Sequence, residues 1–316
     1  MSIATPKYVS VFVKSSTKVA ETLRVNGLTI RKAVHAGYCW GVERALEIVE
    51  DTAAKRAGEG VHTLGPVIHN PRVVESLEQR GVQSIDTLDR IDSGTVIIRT
   101  HGVPPSVYEQ AAAKGLNVVD ATCPLVTLVQ RKARQLVDEE YHLVILGNSR
   151  HPEVIGTLGH AGASGTVIER PEDARAMSFR KKVGVVVQTT QEVERLGELL
   201  AILGPRCKEL KVFNTICSPT IERQEAAREL AHEVEVVIVV GASGSSNACH
   251  LAEVCREEGT RTYHIEDASE LEPAWLEGVK VLGLTAGAST PAWMMDEVVE
   301  CIRAIAASGR PTPAAA

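Results

Sequence analysis

The sequence predicts an α/β protein built from three similar units with mostly parallel sheets. Two observations carry that prediction. From residue 28 onward, short apolar runs alternate with polar turns and amphipathic helical stretches, the pattern of parallel α/β architecture. Three of the helical stretches also begin at a cysteine in matched surroundings. VVDATCPLVTLVQRKARQL (118–136) recurs as VFNTICSPTIERQEAAREL (212–230), where Gln130, Ala133, Arg134 and Leu136 reappear as Gln224, Ala227, Arg228 and Leu230. A looser copy, VHAGYCWGVERALEIVE, carries Cys39. Pro124 suits a first helical position, because its missing N–H would be unpaired there anyway. Cys123 therefore falls at an N-cap, where the helix dipole is expected to lower a thiol's pKa. The chain reads as built to bring Cys39, Cys123 and Cys217 together.

At 316 residues the chain is long for a single core. The expected division is an N-terminal extension (1–27), units at 28–122, 123–214 and 215–308, and a disordered tail (309–316). With 44% hydrophobic and 23% charged residues the composition is that of a globular protein. A net charge of −6 offers no attraction to nucleic acid or an anionic membrane, and 3% aromatics leaves little for base stacking. No apolar run approaches the roughly 20 residues that span a bilayer. Seven cysteines without small-domain spacing fit a reducing cytoplasm better than a disulfide framework, and no CxxC pair suggests a zinc ribbon. Within the extension, 8–13 alternates like a short strand and 14–18 resembles a turn; no signal or transit pattern is present.

Strands are expected at 29–34, 61–64, 96–99, 117–119, 143–146, 166–168, 183–187, 210–213, 236–240, 262–265 and 281–284. Parallel sheets place sites beyond the carboxyl ends of their strands. Here those ends are rich in chemistry. Strand 61–64 leads to His69, 96–99 to His101, 143–146 to His151 and Glu153, and 183–187 to Thr189 and Thr190. Strand 236–240 leads to Ser245, Ser246 and Asn247, and 281–284 to Ser289. Helix N-termini with hydroxyl, amide and imidazole donors suit an anion such as a phosphate or diphosphate. No Walker loop or dinucleotide fingerprint follows a strand, so neither an ATPase nor a Rossmann dehydrogenase is indicated.

Each feature has a bland reading. A lone helix-start cysteine is more often a small buried residue, SSN is a common N-cap, and Glu153 suits any first helical turn. Cys207, Cys249, Cys255 and Cys301 lack the matched placement and read as core or incidental; His62, His142, His160, His232 and His264 read as capping or surface residues. Convergence is what makes a site. Three thiolates could hold zinc with a histidine as fourth ligand, or an iron–sulfur cluster with one iron left open. The residues alone favour a redox metal centre acting on a small phosphorylated substrate.

AGYCWGVERAL, PVIHNPRVVESLEQRG, HGVPPSVYEQA, DATCPLV, HPEVIGT, QTT, TICSPTIERQEA, GSSNACHLAE and TAGASTP occur in this order between about residues 28 and 305. Together they resemble the LytB/IspH family. The resemblance implies a pseudo-threefold trefoil of α/β domains around a central 4Fe-4S cluster held by Cys39, Cys123 and Cys217. It implies reductive dehydroxylation of 4-hydroxy-3-methylbut-2-enyl diphosphate to isopentenyl and dimethylallyl diphosphate, the last step of the methylerythritol phosphate isoprenoid pathway. The apical iron, without a protein ligand, would bind the substrate hydroxyl. His69, His101, His151, Ser245, Ser246, Asn247 and Ser289 match diphosphate-binding positions, Glu153 the proton donor, and Thr189 its hydroxyl partner beside the substrate alcohol. Electrons would come from an external ferredoxin or flavodoxin.

Departures from the family pattern are modest. Tyr38 stands where many members have Phe, Trp40 follows the first cysteine, and SPTIERQ replaces ATTNRQ with Thr220 in register. Two alternatives remain at this point, a zinc-dependent hydrolase or lyase on a phosphorylated substrate and a non-catalytic iron–sulfur sensor. A sensor would have little use for Glu153, Thr189 and a serine-lined pocket.

Overall fold

The computed structural model describes residues 19–56, 58–178 and 181–308. The expected strand at 8–13, turn at 14–18 and tail at 309–316 lie outside the described residues. The described chain opens with an antiparallel hairpin, β1 (Val19–Val25) and β2 (Leu28–Ala33). Asn26 and Gly27, both at positive φ, form its two-residue turn.

After α1 (Trp40–Lys55) the first unit lays down β3 (Val61–Leu64), α2 (Pro71–Gln79), β4 (Val82–Ile85), β5 (Thr95–Ile98), α3 (Pro105–Ala113) and β6 (Asn117–Asp120). Its four strands are parallel in the order β4-β3-β5-β6. The second unit adds α4 (Pro124–Asp138), β7 (His142–Leu146), α5 (Pro152–His160), β8 (Thr166–Ile168), β9 (Lys182–Val187), α6 (Val193–Leu203) and β10 (Glu209–Val212). These strands are also parallel, in the order β10-β9-β7-β8. The third unit comprises α7 (Ser218–Glu233), β11 (Val236–Val240), α8 (Ser246–Glu257), β12 (Arg261–Ile265), β13 (Val281–Ala286) and α9 (Ala292–Ser308). No helix among the described residues is long and apolar enough to cross a membrane.

One boundary expectation is corrected. Residues 28–33 do not open the first unit's sheet. β2 pairs in parallel with β13, giving the order β1-β2-β13-β11-β12. Leu28 and Ile30 pack into one core with Val236, Ile238, Leu282 and Leu284. The first unit's own sheet therefore begins at β3, and the chain crosses into it through Cys39. Sheet membership followed the apolar partner available, not sequence order.

The sequence repeat has a physical basis. Ala133, Leu136, Ala227 and Leu230 are buried on the inner faces of α4 and α7, and Gln130 and Gln224 beside them are buried too. A Cβ on Gly184 of β9 would lie 2.6 Å from Leu136 Cδ2, and one on Gly283 of β13 would lie 2.9 Å from Leu230 Cγ. In both units a leucine seats over a glycine in a central strand. Leu136→Ala and Leu230→Ala are each expected to cost about 2–5 kcal/mol through the cavity left behind, to a similar degree, in chemical denaturation.

Candidate active site

Cys39, Cys123 and Cys217 are the N-caps of α1, α4 and α7, each with extended backbone (φ −94°, −61° and −75°). Each is held by the same device. The N–H of Cys39 donates to Ala288 O (3.3 Å), that of Cys123 to Thr100 O (2.9 Å) and that of Cys217 to Thr189 O (3.0 Å). Every acceptor lies just beyond the carboxyl end of a strand, so three sheets aim three thiols at one place.

All three line one cavity with His69, His101, His151, Glu153, Thr189, Ser245, Ser246, Asn247 and Ser289. Both Cys39 Sγ and Cys123 Sγ lie within 4 Å of the point where a Cβ on Gly41 would sit. Cys217 Sγ is 3.1 Å from Thr220 Oγ1. None of the three forms a disulfide.

The expected lowering of the thiol pKa does not hold here. Burial pushes Cys123 up and Cys217 up to about 11, although the N–H groups of their own helix starts pull the other way. Desolvation is invisible in a linear sequence, and it outweighs the helix terminus. Sulfurs gathered in this way without a disulfide suit a metal centre, whose own charge removes the protons.

The opposite wall is polar. The rings of His69, His101 and His151 have centroids 4.4, 5.3 and 5.2 Å apart. Burial lowers the pKa of all three, His151 to about 3, helped by their mutual proximity and by Arg99. His151 Nδ1 accepts from Glu153 N (3.2 Å), so a neutral His151 carries its proton on Nε2. His69 Nε2 and His101 Nδ1 are buried without partners among the described residues. Buried polar atoms of this kind call for a ligand or water. Ser289 Oγ donates to His69 O (3.1 Å) and lies 3.4 Å from Ser245 Oγ, while Asn247 Oδ1 accepts from Ala288 N (3.0 Å). Ser246 Oγ lies 2.8 Å from Thr190 Oγ1.

Glu153 sits in the first turn of α5 and is 2% exposed. Its two oxygens accept from Thr189 N and Thr189 Oγ1, both at 2.7 Å. Burial raises its pKa to about 7 even though these bonds favour the anion. A carboxyl poised near neutrality suits a general acid.

The family model described as LytB protein matches residues 30–303. The chain belongs to the LytB family. It is 45% identical over 267 residues to the 4-hydroxy-3-methylbut-2-enyl diphosphate reductase of Pelobacter propionicus, spanning 84% of this chain and 95% of that protein. The solved structure of (E)-4-hydroxy-3-methyl-but-2-enyl diphosphate reductase, described as the terminal enzyme of the non-mevalonate pathway, is 44% identical. It aligns with a TM-score of 0.65 over 87% of this chain and 99% of its own. The Plasmodium falciparum E-1-hydroxy-2-methyl-but-2-enyl-4-diphosphate reductase is 30% identical with a TM-score of 0.80, covering 84% of this chain and 85% of its own.

In this LytB fold every site residue expected from the sequence lines the same cavity. Three contributors were missed. Arg99 follows β5 directly and is half-buried beside the three histidines; among the described residues its buried Nε has no partner and it forms no ion pair. Its signal was a cation straight after a buried apolar strand. Asn70 caps α2 and donates to Ser289 O (2.9 Å), bracing two strand ends. Gly41 is the third, because a Cβ there would lie 2.8 Å from Cys123 Sγ. Gly41→Ala is expected to reduce the iron retained after anaerobic reconstitution. Alanine favours helix by about 1 kcal/mol, so a weakened α1 could not explain that loss.

Proposed function

We propose that this chain reduces 4-hydroxy-3-methylbut-2-enyl diphosphate to isopentenyl and dimethylallyl diphosphate, the last step of the methylerythritol phosphate route. The allylic C–O bond breaks, the oxygen leaves as water, and two electrons and two protons are consumed. The observation that carries this reading is a poised carboxyl, Glu153, in one cavity with three convergent thiols and an anion-binding wall.

Cys39, Cys123 and Cys217 would hold a 4Fe-4S cluster. When bound, such a cluster supplies electrons one at a time and an iron with no protein ligand that acts as a Lewis acid. An external ferredoxin or flavodoxin would provide the electrons.

The diphosphate fits the histidine and serine wall. His69, His101 and His151 present donors, and the hydroxyls of Ser245, Ser246 and Ser289 add more, with Asn247 beside them at the N-terminus of α8. The positive charge of Arg99 stands behind the imidazoles. Bound negative charge favours the protonated imidazoles and so opposes the lowering that burial imposes on them.

Glu153 delivers the proton that lets the hydroxyl leave as water. When the carboxyl is protonated it donates to Thr189 Oγ1, which frees the threonine proton to face the substrate oxygen. Thr189 N stays on the other carboxylate oxygen and fixes the orientation. Trp40, 46% exposed, stands at the rim of the cavity.

The test is anaerobic turnover of the hydroxy-allylic diphosphate with reduced methyl viologen. Formation of the two five-carbon diphosphates is the expected result. No product from iron-replete protein would overturn the assignment in favour of a sensor, and zinc in place of iron would favour a hydrolase.

A further inference from the structure

A second cluster of donors sits at the contact between the second and third units, and the reductive chemistry leaves it unused. Glu192 is the N-cap of α6, while His250 and Glu253 lie three residues apart on one face of α8. One donor atom from each lies within 4.8 Å of the others. Glu192 is only 3% exposed, and among the described residues its Oε1 has no hydrogen-bond partner. Gln191 beside it is equally buried, and its Oε1 is also unpartnered.

The histidine is preset. Its Nδ1 is 2.6 Å from Thr190 O, a carbonyl that can only accept, so Nδ1 holds the proton and the neutral ring keeps its lone pair on Nε2. A backbone carbonyl on one ring nitrogen is the usual way a metal-binding imidazole is oriented. One ring nitrogen of His250 and the carboxyl groups of Glu192 and Glu253 thus share one place, and Nε2 is the nitrogen left free to bind. The Arg195 guanidinium, close enough to act on Glu192, donates instead to Glu169 O at 2.8 Å.

We infer that Glu192, His250 and Glu253 bind a divalent first-row transition metal that ties α6 of the second unit to α8 of the third. One imidazole with two carboxylates suits manganese, iron or zinc better than magnesium or calcium, which favour oxygen-only shells. Ligands about 2.0–2.2 Å from one ion lie within about 4.4 Å of each other, so a small inward turn of the exposed Glu253 completes the set. Gln191 Oε1 or water can add a further ligand. The site is separate from the central cavity but joined to it through Thr190. That residue's carbonyl orients His250 while its hydroxyl meets Ser246, a wall of the cavity.

The test is titration of the cluster-loaded full-length chain with Mn²⁺, following loss of the free-ion EPR signal under anaerobic conditions. Manganese is chosen because it competes poorly for thiolates. One bound equivalent is expected, weakened at least about tenfold, the range for losing a supporting group, in both E192Q and E253Q. Mn²⁺ should also raise the Tm of the wild type and not that of E253Q. Glu253 is exposed, so E253Q keeps the fold even if E192Q does not. No binding at millimolar Mn²⁺, as a protonated His250 shared between the two carboxylates would give, overturns the inference. So does equal binding by wild type and E253Q.

Discussion

Glu153→Gln is expected to lower kcat by about 10²–10⁴-fold, the usual contribution of a positioned general acid, with KM little changed. Glutamine keeps the size and the carbonyl that accepts from Thr189 N, but it carries no acidic proton. Iron content and cluster absorbance should match the wild type, which separates loss of the proton from loss of the metal. The pH dependence follows from the same burial. The acid must be protonated to act, and burial has raised its pKa to about 7. The protonated fraction is therefore high at pH 6 and falls as pH rises through 7. Bound diphosphate moves that fall upward, because like charge disfavours a second anion. Wild-type kcat is expected to decline on the alkaline side of neutrality. A decline already complete by pH 5 would mean a carboxyl at its ordinary value and another proton source.

Cys123→Ala and Cys217→Ala are expected to abolish turnover and to yield protein nearly free of iron. Each would remove one of the three thiols proposed to hold the cluster, and Thr220 beside Cys217 offers only a hydroxyl. Serine should rescue poorly, since an alcohol does not ionise as a thiol does. Cys207→Ser is the control: its sulfur donates to Leu203 O and lies outside the cavity, so iron and activity should stay at wild-type levels. Iron analysis and turnover on the same anaerobic samples decide the matter. Full iron in Cys217→Ala would remove that residue from the metal centre.

Much of this was legible because parallel α/β folds write their sites at strand ends. The expected strands formed with small shifts at their bounds, since unbroken valine, isoleucine and leucine runs suit strands buried on both faces. β4 was missed because VQSI buries only its end residues and its polar centre breaks the run. β2 was expected at 29–34 and the first thirty residues read as an extra strand or hairpin, but β1 was not placed at Val19–Val25 although Asn26-Gly27 is a strong turn signal, because that stretch is mixed in polarity. The placement of β2 beside β13 was not legible at all, as it depends on which apolar partner is free. At the site, residue types and spacing pointed to Cys39, Cys123, Cys217, the histidines and Glu153. Burial did not show, so the Cys123 thiol pKa was expected on the wrong side. Arg99 beside the histidines, and Glu192 beside His250, are juxtapositions that only the folded chain creates.

The most direct test of the central claim, that three cysteines converge on one iron centre open to substrate, is Mössbauer spectroscopy of ⁵⁷Fe-reconstituted protein before and after the hydroxy-allylic diphosphate is added. The account expects a four-iron cluster in which one iron differs from the other three and alone shifts when substrate binds. Four equivalent irons that ignore the substrate, or a colourless protein that takes up zinc instead, would contradict it.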